Sequence, residues 1–471
     1  MTPSALFSRT TAALFLCFLA QSSPAQSLSL SLDEAMDLAA DQAFGVRQAQ
    51  LSRDLAASET IEIIRTGLPQ VSGAIDYNNY LDLPTQVMSG NAFGLPPYLI
   101  DFLSDVSNET GVIINAPPAD PNALTEFQFG AAQTLTAGVT VTQLIFSGSF
   151  LVGIQAAQAY ANAMESSVEA SVQTARKAAA EAYVAVAVGH AQTDLLEDLI
   201  QTVARASREA RKLADEGLID PIDADRAELQ LSAVQAQMGA ANMGLFVAEK
   251  VLAFALALPA DQSVETTDDI HALQRKLAGV TSLATGFSAQ QLPTIDAQTR
   301  NVELAQLGIK LEHAKGLPTI RSFYTNQRNA QRDAFDFLGD GAWYPIQMVG
   351  VNVSVPIWSS GAGKQKLAQA RIQHQRADLA LEQMTLAATL EHHGSMSAYI
   401  SALDQKQQAE HSFTLATRIL DQTGTKFTEG IASSTEFSQA TSAALGAQSD
   451  YIQAVLGSLN AYFRVLHANG K

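Results

Sequence analysis

The sequence is short of cysteine, aromatic residues, positive charge and, over long stretches, proline. One cysteine, Cys17, occurs in 471 residues. A single thiol excludes a disulfide framework and a cysteine-rich zinc site. Aromatic residues make up 7% of the chain and tryptophan occurs twice, although 47% of residues are apolar. Ala, Ser, Thr and Gln fill much of the remainder, a composition suited to long, closely packed helices rather than a thick globular core. Lys and Arg number 29 against 47 Asp and Glu, a net charge of -18. Such a chain repels phosphate, and it has no basic patch to offset this, so nucleic acid is excluded as a partner. Proline is absent between Pro121 and Pro221 and again after Pro356, which leaves two long stretches free of the main helix breaker.

Motifs for chemistry are missing too. No glycine-rich phosphate loop is present, so the chain is not itself an ATPase. His392-His393 lies within a helical pattern and His374 stands alone. The histidine pair has no carboxylate or cysteine cluster at metal-ligand spacing. The expectation is a protein that is not an enzyme and holds neither metal nor cofactor.

The N-terminus reads as an export signal over residues 1–25. Arg9 precedes the apolar run Ala12 to Ala20, and Ser23 and Ala25 supply small residues at an A-x-A-like cleavage site. The run is too short to span a bilayer. Cys17 lies inside it, preceded by Leu16 rather than a small residue, so it is expected to be removed rather than lipidated. Beyond the signal, no stretch reaches about 18 uninterrupted apolar residues, and no helical anchor is expected.

What is present is repetition. "GLPQV" (Gly67 to Val71) returns as "GLPTI" (Gly316 to Ile320). "VTVTQLIFSG" (Val139 to Gly148) returns as "VNVSVPIWSS" (Val351 to Ser360). "EGLIDPIDADRAEL" (Glu216 to Leu229) returns as "EGIASSTEFSQATS" (Glu429 to Ser442). Three landmarks in the same order imply an internal duplication. The expected organisation is a first repeat over 28–258, a connector over 259–292 and a second repeat over 293–468.

Each repeat alternates before it turns helical. Val139, Val141 and Ile145 fall on one face against Thr140 and Thr142; Val351, Val353, Val355 and Ile357 fall opposite Asn352 and Ser354. Val71, Ile75 and Tyr77 alternate with Ser72, Asp76 and Asn78. Period two is the strand signal, so each repeat offers two strands joined by a polar, turn-rich loop. The third strand, "TIRSFYTNQR" from Thr319, alternates least clearly. Trp343, Tyr344 and Tyr98 suit a loop or a membrane interface. The helical stretches carry heptad seams: Leu196, Leu199, Val203, Ala206, Ala210 and Leu213 step by three and four, as do Phe413 to Phe427 and Phe437 to Tyr451. A helix of about 65 residues would be roughly 100 Å long, more than a compact domain requires.

Four strands with one apolar face suit an outer-membrane wall, but the smallest membrane barrels use about eight strands and an open edge is untenable in lipid. If these strands span a membrane, the protein must oligomerise. The alternative is an exported coiled-coil rod or adhesin without a pore.

The opening "LSLDEAMDLAADQAFGVRQAQ" (Leu30 to Gln50), the "GLP" after it, the "TQLIFSGS" strand end and the Glu-Gly-Leu turn before "DPIDADRAELQL" together resemble the TolC family of outer-membrane efflux and secretion channels. The resemblance covers roughly Leu28 to Ala468. It implies a mainly α fold with a small β part: a homotrimer with four strands per chain in a twelve-stranded barrel, continued by a periplasmic α-barrel of coiled-coil helices. It implies an exit duct for a tripartite efflux pump or type I secretion system, seated in outer-membrane lipid. The periplasmic adaptor and inner-membrane transporter are the implied partners. The two turns then become the tip: Gly217 and Gly430 reverse the chain, and Leu218 and Ile431 are the implied adaptor-docking residues. Family members often carry two acids, three apart, after the second turn. Glu436 matches the first and Gln439 departs from the second. Asp220, Asp223 and Arg226 crowd the first tip, together with Asp215, Asp225 and Arg211, and are candidates for the constriction.

Overall fold

The computed structural model describes residues 28–89, 97–112, 124–128, 130–259, 261–276 and 287–470. The export signal and the Pro-rich "NAPPADPNA" loop lie outside the described residues.

The two halves run through matching elements. In the first, α1 (Leu32–Gln42) and α2 (Phe44–Thr66) lead to β2 (Gln70–Asn79) and β5 (Gln133–Ser147), then α4 (Gly148–Asp215) and α5 (Pro221–Ala255). In the second, α7 (Pro293–Ala314) leads to β7 (Thr319–Arg332) and β8 (Tyr344–Ser354), then α8 (Ala362–Thr428) and α9 (Ser434–Ala468). The paired long helices hold 68 and 67 residues, and the paired short ones 35 each. Between the halves lie β6 (Val264–Thr266), α6 (Ile270–Lys276) and a short 3-10 turn, Ala289–Gln291.

Three local features add to or depart from the sequence reading. The opening stretch is two helices: Ser31 and Glu34 form a reciprocal capping box at the start of α1, and Ala43 adopts an extended ψ of 140 that breaks the helix before α2. The loop of the first half is not structureless. It contains β3 (Thr85–Ser89) paired with β4 (Leu124–Gln128), and the helix α3 (Pro97–Thr110). By length and composition α5 is also apolar enough to cross a membrane. A run test misses this, because scattered polar residues interrupt a helix whose average is still apolar. Its Ala224, Ala227, Val234 and Leu252 are buried, while Met243, Phe246, Val247, Val251 and Phe254 are exposed.

Two compact units cut across the repeats, each drawing on both halves. One comprises Glu59–Ala157 and Leu307–Ala370 and holds a four-stranded antiparallel sheet of order β2-β5-β7-β8. The sheet puts the two repeats' strand pairs side by side through β5 and β7, from Gln133↔Arg332 to Ser147↔Thr319.

The other unit comprises Met1–Ser58, Gln158–Gln306 and Arg371–Lys471. Its larger core gathers Tyr183, Val184, Leu252, Leu256, Tyr451 and Val455. The heptad seams of α4, α8 and α9 make up much of a second core, where Leu196, Val203, Leu420, Phe427 and Phe437 are buried together. Phe427 and Phe437 stack with centroids 5.0 Å apart, and Phe413 stacks on Tyr451 at 5.3 Å.

The N-terminal segment is tied to the connector. β1 (Leu28–Leu30) runs parallel to β6. The fully buried Tyr183 hydroxyl sits 2.9 Å from the Leu30 carbonyl and 3.0 Å from Asp268 Oδ2, and it accepts from the Asp268 backbone N–H at 3.1 Å. Asp268 Oδ2 also accepts from the Leu32 N–H at 2.7 Å. Burial pushes the Tyr183 phenol up to about 12. The folded state therefore holds this proton after the unfolded chain has released it, and stability is lost as pH rises from about 10 toward 12. Tyr183→Phe leaves buried partners unpaired and is expected to cost about 1–3 kcal/mol. It should also flatten the alkaline limb of a denaturation-versus-pH curve; an unchanged limb would remove Tyr183 as its source.

Candidate functional site: tip turns and sheet faces

The two Glu-Gly turns have the same backbone. α4 ends with Gly217 at φ 72, and Leu218 N–H donates to the Leu213 carbonyl at 2.8 Å. α8 ends with Gly430 at φ 72, and Ile431 N–H donates to the Lys426 carbonyl at 2.7 Å. A six-to-one bond closed over a left-handed residue is the Schellman motif, and glycine adopts that φ without a Cβ penalty. Leu218 and Ile431, next in line, are 67% and 71% exposed. The following residues, Ile219 and Ala432, turn back and pack against the buried seam. Each turn thus points one aliphatic side chain out and anchors itself with the next.

The next helix starts also correspond, 213 positions apart, and their chemistry diverges. Asp220 caps α5 by accepting from Ile222 N–H at 2.9 Å, followed by Pro221. Its counterpart Ser433 caps α9 by accepting from Glu436 N–H at 3.2 Å. The Glu436 carboxylate reaches back to the Ser433 N–H at 2.8 Å and hydroxyl at 2.9 Å. Backbone and hydroxyl donation from Ser433 hold the Glu436 carboxyl below its usual range. The support it gives α9 is present above the ordinary carboxylate pKa and is lost as pH falls through the lowered one.

Asp223 stands where Glu436 stands in the other repeat, but it is one methylene shorter. It reaches across to α9, where the Ser434 hydroxyl donates to it. Arg226 Nη1 donates to the same Ser434 Oγ at 3.2 Å and lies 3.4 Å from Asp223. One turn further, Gln230 donates to Ser438 at 2.7 Å. On the α4 side, Arg211 pairs with Asp225 at 2.9 Å and Glu228 at 2.5 Å. The structure therefore joins Asp223 and Arg226 to the start of α9, whereas Asp220 and Glu436 are each engaged in local caps. Gln439, which matches Arg226 in position, is exposed. Sequence reasoning missed Ser434, which lies in a Ser/Thr-rich run with nothing to single it out.

The sheet registers sort its side chains into two faces. One carries Val71, Ile75, Val139, Val141, Val349 and Val351; the other carries Ser72, Asp76, Thr140, Thr142, Thr325 and Asn329. A bulge between Leu144 and Phe146 corrects one assignment: Ile145 is the extra residue, and Phe146 takes the apolar position opposite Ile320. Val355 and Ile357 also fall beyond the end of β8. The weakly patterned third strand places Phe323 on the polar face, where its ring lies over Gly350 so closely that any Cβ there would clash. That ring covers backbone rather than facing open space. Tyr98 and Tyr344 are exposed, and Tyr77 meets Phe335 and Phe337 edge-on at 5.6 and 5.9 Å.

The histidines have structural surroundings. His392 is buried, stacked on Phe287 at 4.1 Å, and burial lowers its pKa. His374 pairs with Asp378 one helical turn away at 3.1 Å.

Residues 288–470 match the sequence model of a family described as outer membrane efflux protein. No curated protein matches the sequence. Among solved structures, the fold is similar to that of CusC, studied for transmembrane channel formation, with a TM-score of 0.68 at 15% identity over 96% of this chain and 95% of that one. The CmeC outer membrane channel of Campylobacter jejuni gives 0.66 at 14% identity, covering 93% and 85%. The outer membrane protein VceC of Vibrio cholerae gives 0.65 at 14%, covering 93% and 96%. At these identities the likeness is one of fold.

Proposed function

We propose a function from two premises: residues 288–470 carry the outer membrane efflux protein pattern, and the chain has the fold of solved outer-membrane channels. On this reading it is a passive exit duct across the outer membrane, extending into the periplasm, with no catalysis of its own. Transport is driven by an inner-membrane transporter through a periplasmic adaptor.

The observation that carries this reading is the sheet. It has one apolar and one polar face, and its two edge strands, β2 and β8, have no further partner among the described residues. Lipid does not tolerate such edges. Four antiparallel strands leave the edges running in opposite directions, so β8 of one copy can pair antiparallel with β2 of the next, and the repeat can close. A homotrimer closes at twelve strands. Apolar residues then face lipid and the threonine-rich face lines water.

At the tip, Leu218 and Ile431, held out by Gly217 and Gly430, are the docking positions for the adaptor. Asp223 and Arg226, tied to Ser434, help hold the mouth closed. Asp220 and Glu436 stabilise the helix starts from which those contacts are made, and Gln439 leaves the second tip without the usual second acid.

Planar-bilayer recording tests the proposal. The purified chain is expected to give discrete channel openings, and absence of any conductance would favour a pore-free rod. Asp223→Asn combined with Glu436→Gln is expected to raise the fraction of time open and to weaken cation preference. If both stay as in the wild type, these two acids do not belong to the constriction.

A further inference from the structure

The apolar sheet face carries two arginines, and the duct reading uses neither. Arg328 has the same strand parity as Ile320, Tyr324 and Ala330, and it lies opposite Ala137 of β5 and Pro345 of β8. It therefore projects from the face that carries Val71, Ile75 and Val349. Its side chain is exposed, and no described residue forms an ion pair or side-chain hydrogen bond with it. Arg332, on the same face, differs: its guanidinium donates to the backbone carbonyls of Gln331, Asp336 and Ala342. One arginine is consumed by its own hairpin and the other is left open.

Its height along the sheet explains how a charge is tolerated there. Arg328 stands eight residues beyond Ile320, away from the helical end of the strands. At about 3.3 Å per residue and a tilt of about 40°, that is roughly 20 Å of height in an apolar band about 25 Å tall. Its immediate surroundings also change character. The row below pairs Asn326 with Gln347 and holds Gly73 at its β2 end, and in Arg328's own row Ala137 and Pro345 are small or flat neighbours. The row above holds Tyr77, whose ring meets Phe335 and Phe337, an aromatic cluster of the kind found where a barrel leaves the hydrocarbon.

Resting on the duct reading, we propose that Arg328, Asn326 and Gln347 form a binding site for a phosphate-bearing glycolipid of the distal leaflet. The guanidinium takes the phosphate in a charge-assisted, two-pronged hydrogen bond. The two amides beside it offer donors and acceptors to sugar hydroxyls, which a simple phospholipid headgroup would use less fully. The small residues leave room for the sugar, and the apolar rows below receive acyl chains. A closed trimer would present three such sites on an otherwise acidic protein.

The test uses the full-length channel in phosphatidylcholine nanodiscs, with native mass spectrometry of the retained lipid. The probes are bis-phosphorylated lipid A, its dephosphorylated form and phosphatidylglycerol, each at equal mole fraction. Bilayer conductance of the same preparations scores insertion separately. Wild type is expected to retain phosphorylated lipid A about tenfold more than Arg328→Gln, with Arg328→Lys between them, and to retain little of the other two lipids. Equal retention by wild type and Arg328→Gln in a conducting channel overturns the site and leaves the duct standing. Equal retention of dephosphorylated lipid A overturns phosphate recognition. Equal retention of phosphatidylglycerol overturns the glycolipid as occupant. Failure of the wild type to insert at all overturns both readings.

Discussion

Val141→Arg is expected to abolish membrane insertion, while Thr140→Arg, one residue earlier, is expected to insert normally and change the current. The two residues are neighbours on β5 with opposite parity. Val141 lies between Val71 and Tyr324 on the apolar face, and Thr140 lies between Ser72 and Thr325 on the polar one. Val141 sits near mid-height of the apolar band, where an arginine facing lipid costs about 2–4 kcal/mol. Three copies in the proposed trimer make that roughly 6–12 kcal/mol per assembled barrel. Thr140 has a polar neighbour already, its hydroxyl 3.2 Å from that of Thr325, and an added guanidinium there meets water. The measurement is heat-modifiable trimer in the outer-membrane fraction, followed by single-channel recording of the variant that assembles. The expected signature is loss of trimer for Val141→Arg alone, with reduced cation preference for Thr140→Arg. Insertion of both variants to the same extent would mean that this sheet does not face lipid.

The same pair of residues shows what the sequence made legible. Alternation over Val139 to Thr142 identifies the strand and its faces without any structure, because side chains on a pleated strand alternate strictly. The reading fails at Ile145, where a bulge inserts one residue and hands the apolar position to Phe146. A bulge is a property of two strands in register, and one strand's sequence does not contain it. Helix ends were readable for a related reason. Gly217 and Gly430 mark the Schellman turns because only a residue without a Cβ takes that φ cheaply. The roles beyond those turns were less readable. Glu436 stands three residues after Ser433, the spacing of a capping box, and its carboxylate closes one, whereas Asp223 at the corresponding place is one methylene shorter and reaches Ser434 on another helix instead. The cap is written in the spacing; the contact of Asp223 with Ser434 is a product of packing. The pairing of β1 with β6, and the Tyr183–Asp268 hydrogen bonds around it, join residues with no shared motif.

Phe437→Ala is expected to be the most damaging single truncation at the tip, costing about 3–5 kcal/mol per chain. Phe437 is fully buried, stacks face to face on Phe427 at an interplanar angle of 6°, and lies among Leu420, Ala440 and Ala444. The cavity left by its ring would be lined by alanines that are too short to refill it. The stack also links the last turn of α8 to the first turn of α9, so its loss frees the Gly430 turn between them. Chemical denaturation in detergent should show a lower midpoint, and limited proteolysis should cut faster between Glu429 and Ser433. The opposite behaviour is expected one residue beyond each turn. Leu218→Ala with Ile431→Ala removes side chains already exposed to solvent, and stability should stay within about 0.5 kcal/mol of wild type. Cross-linking of this double variant to the proposed periplasmic adaptor should nonetheless fall, because the two exposed aliphatic side chains at the turns are gone. A double variant that keeps full cross-linking would move the docking surface off the turns and onto the helix flanks. A Phe437→Ala protein as stable as wild type would mean that the tip is held from outside the chain, by neighbouring copies.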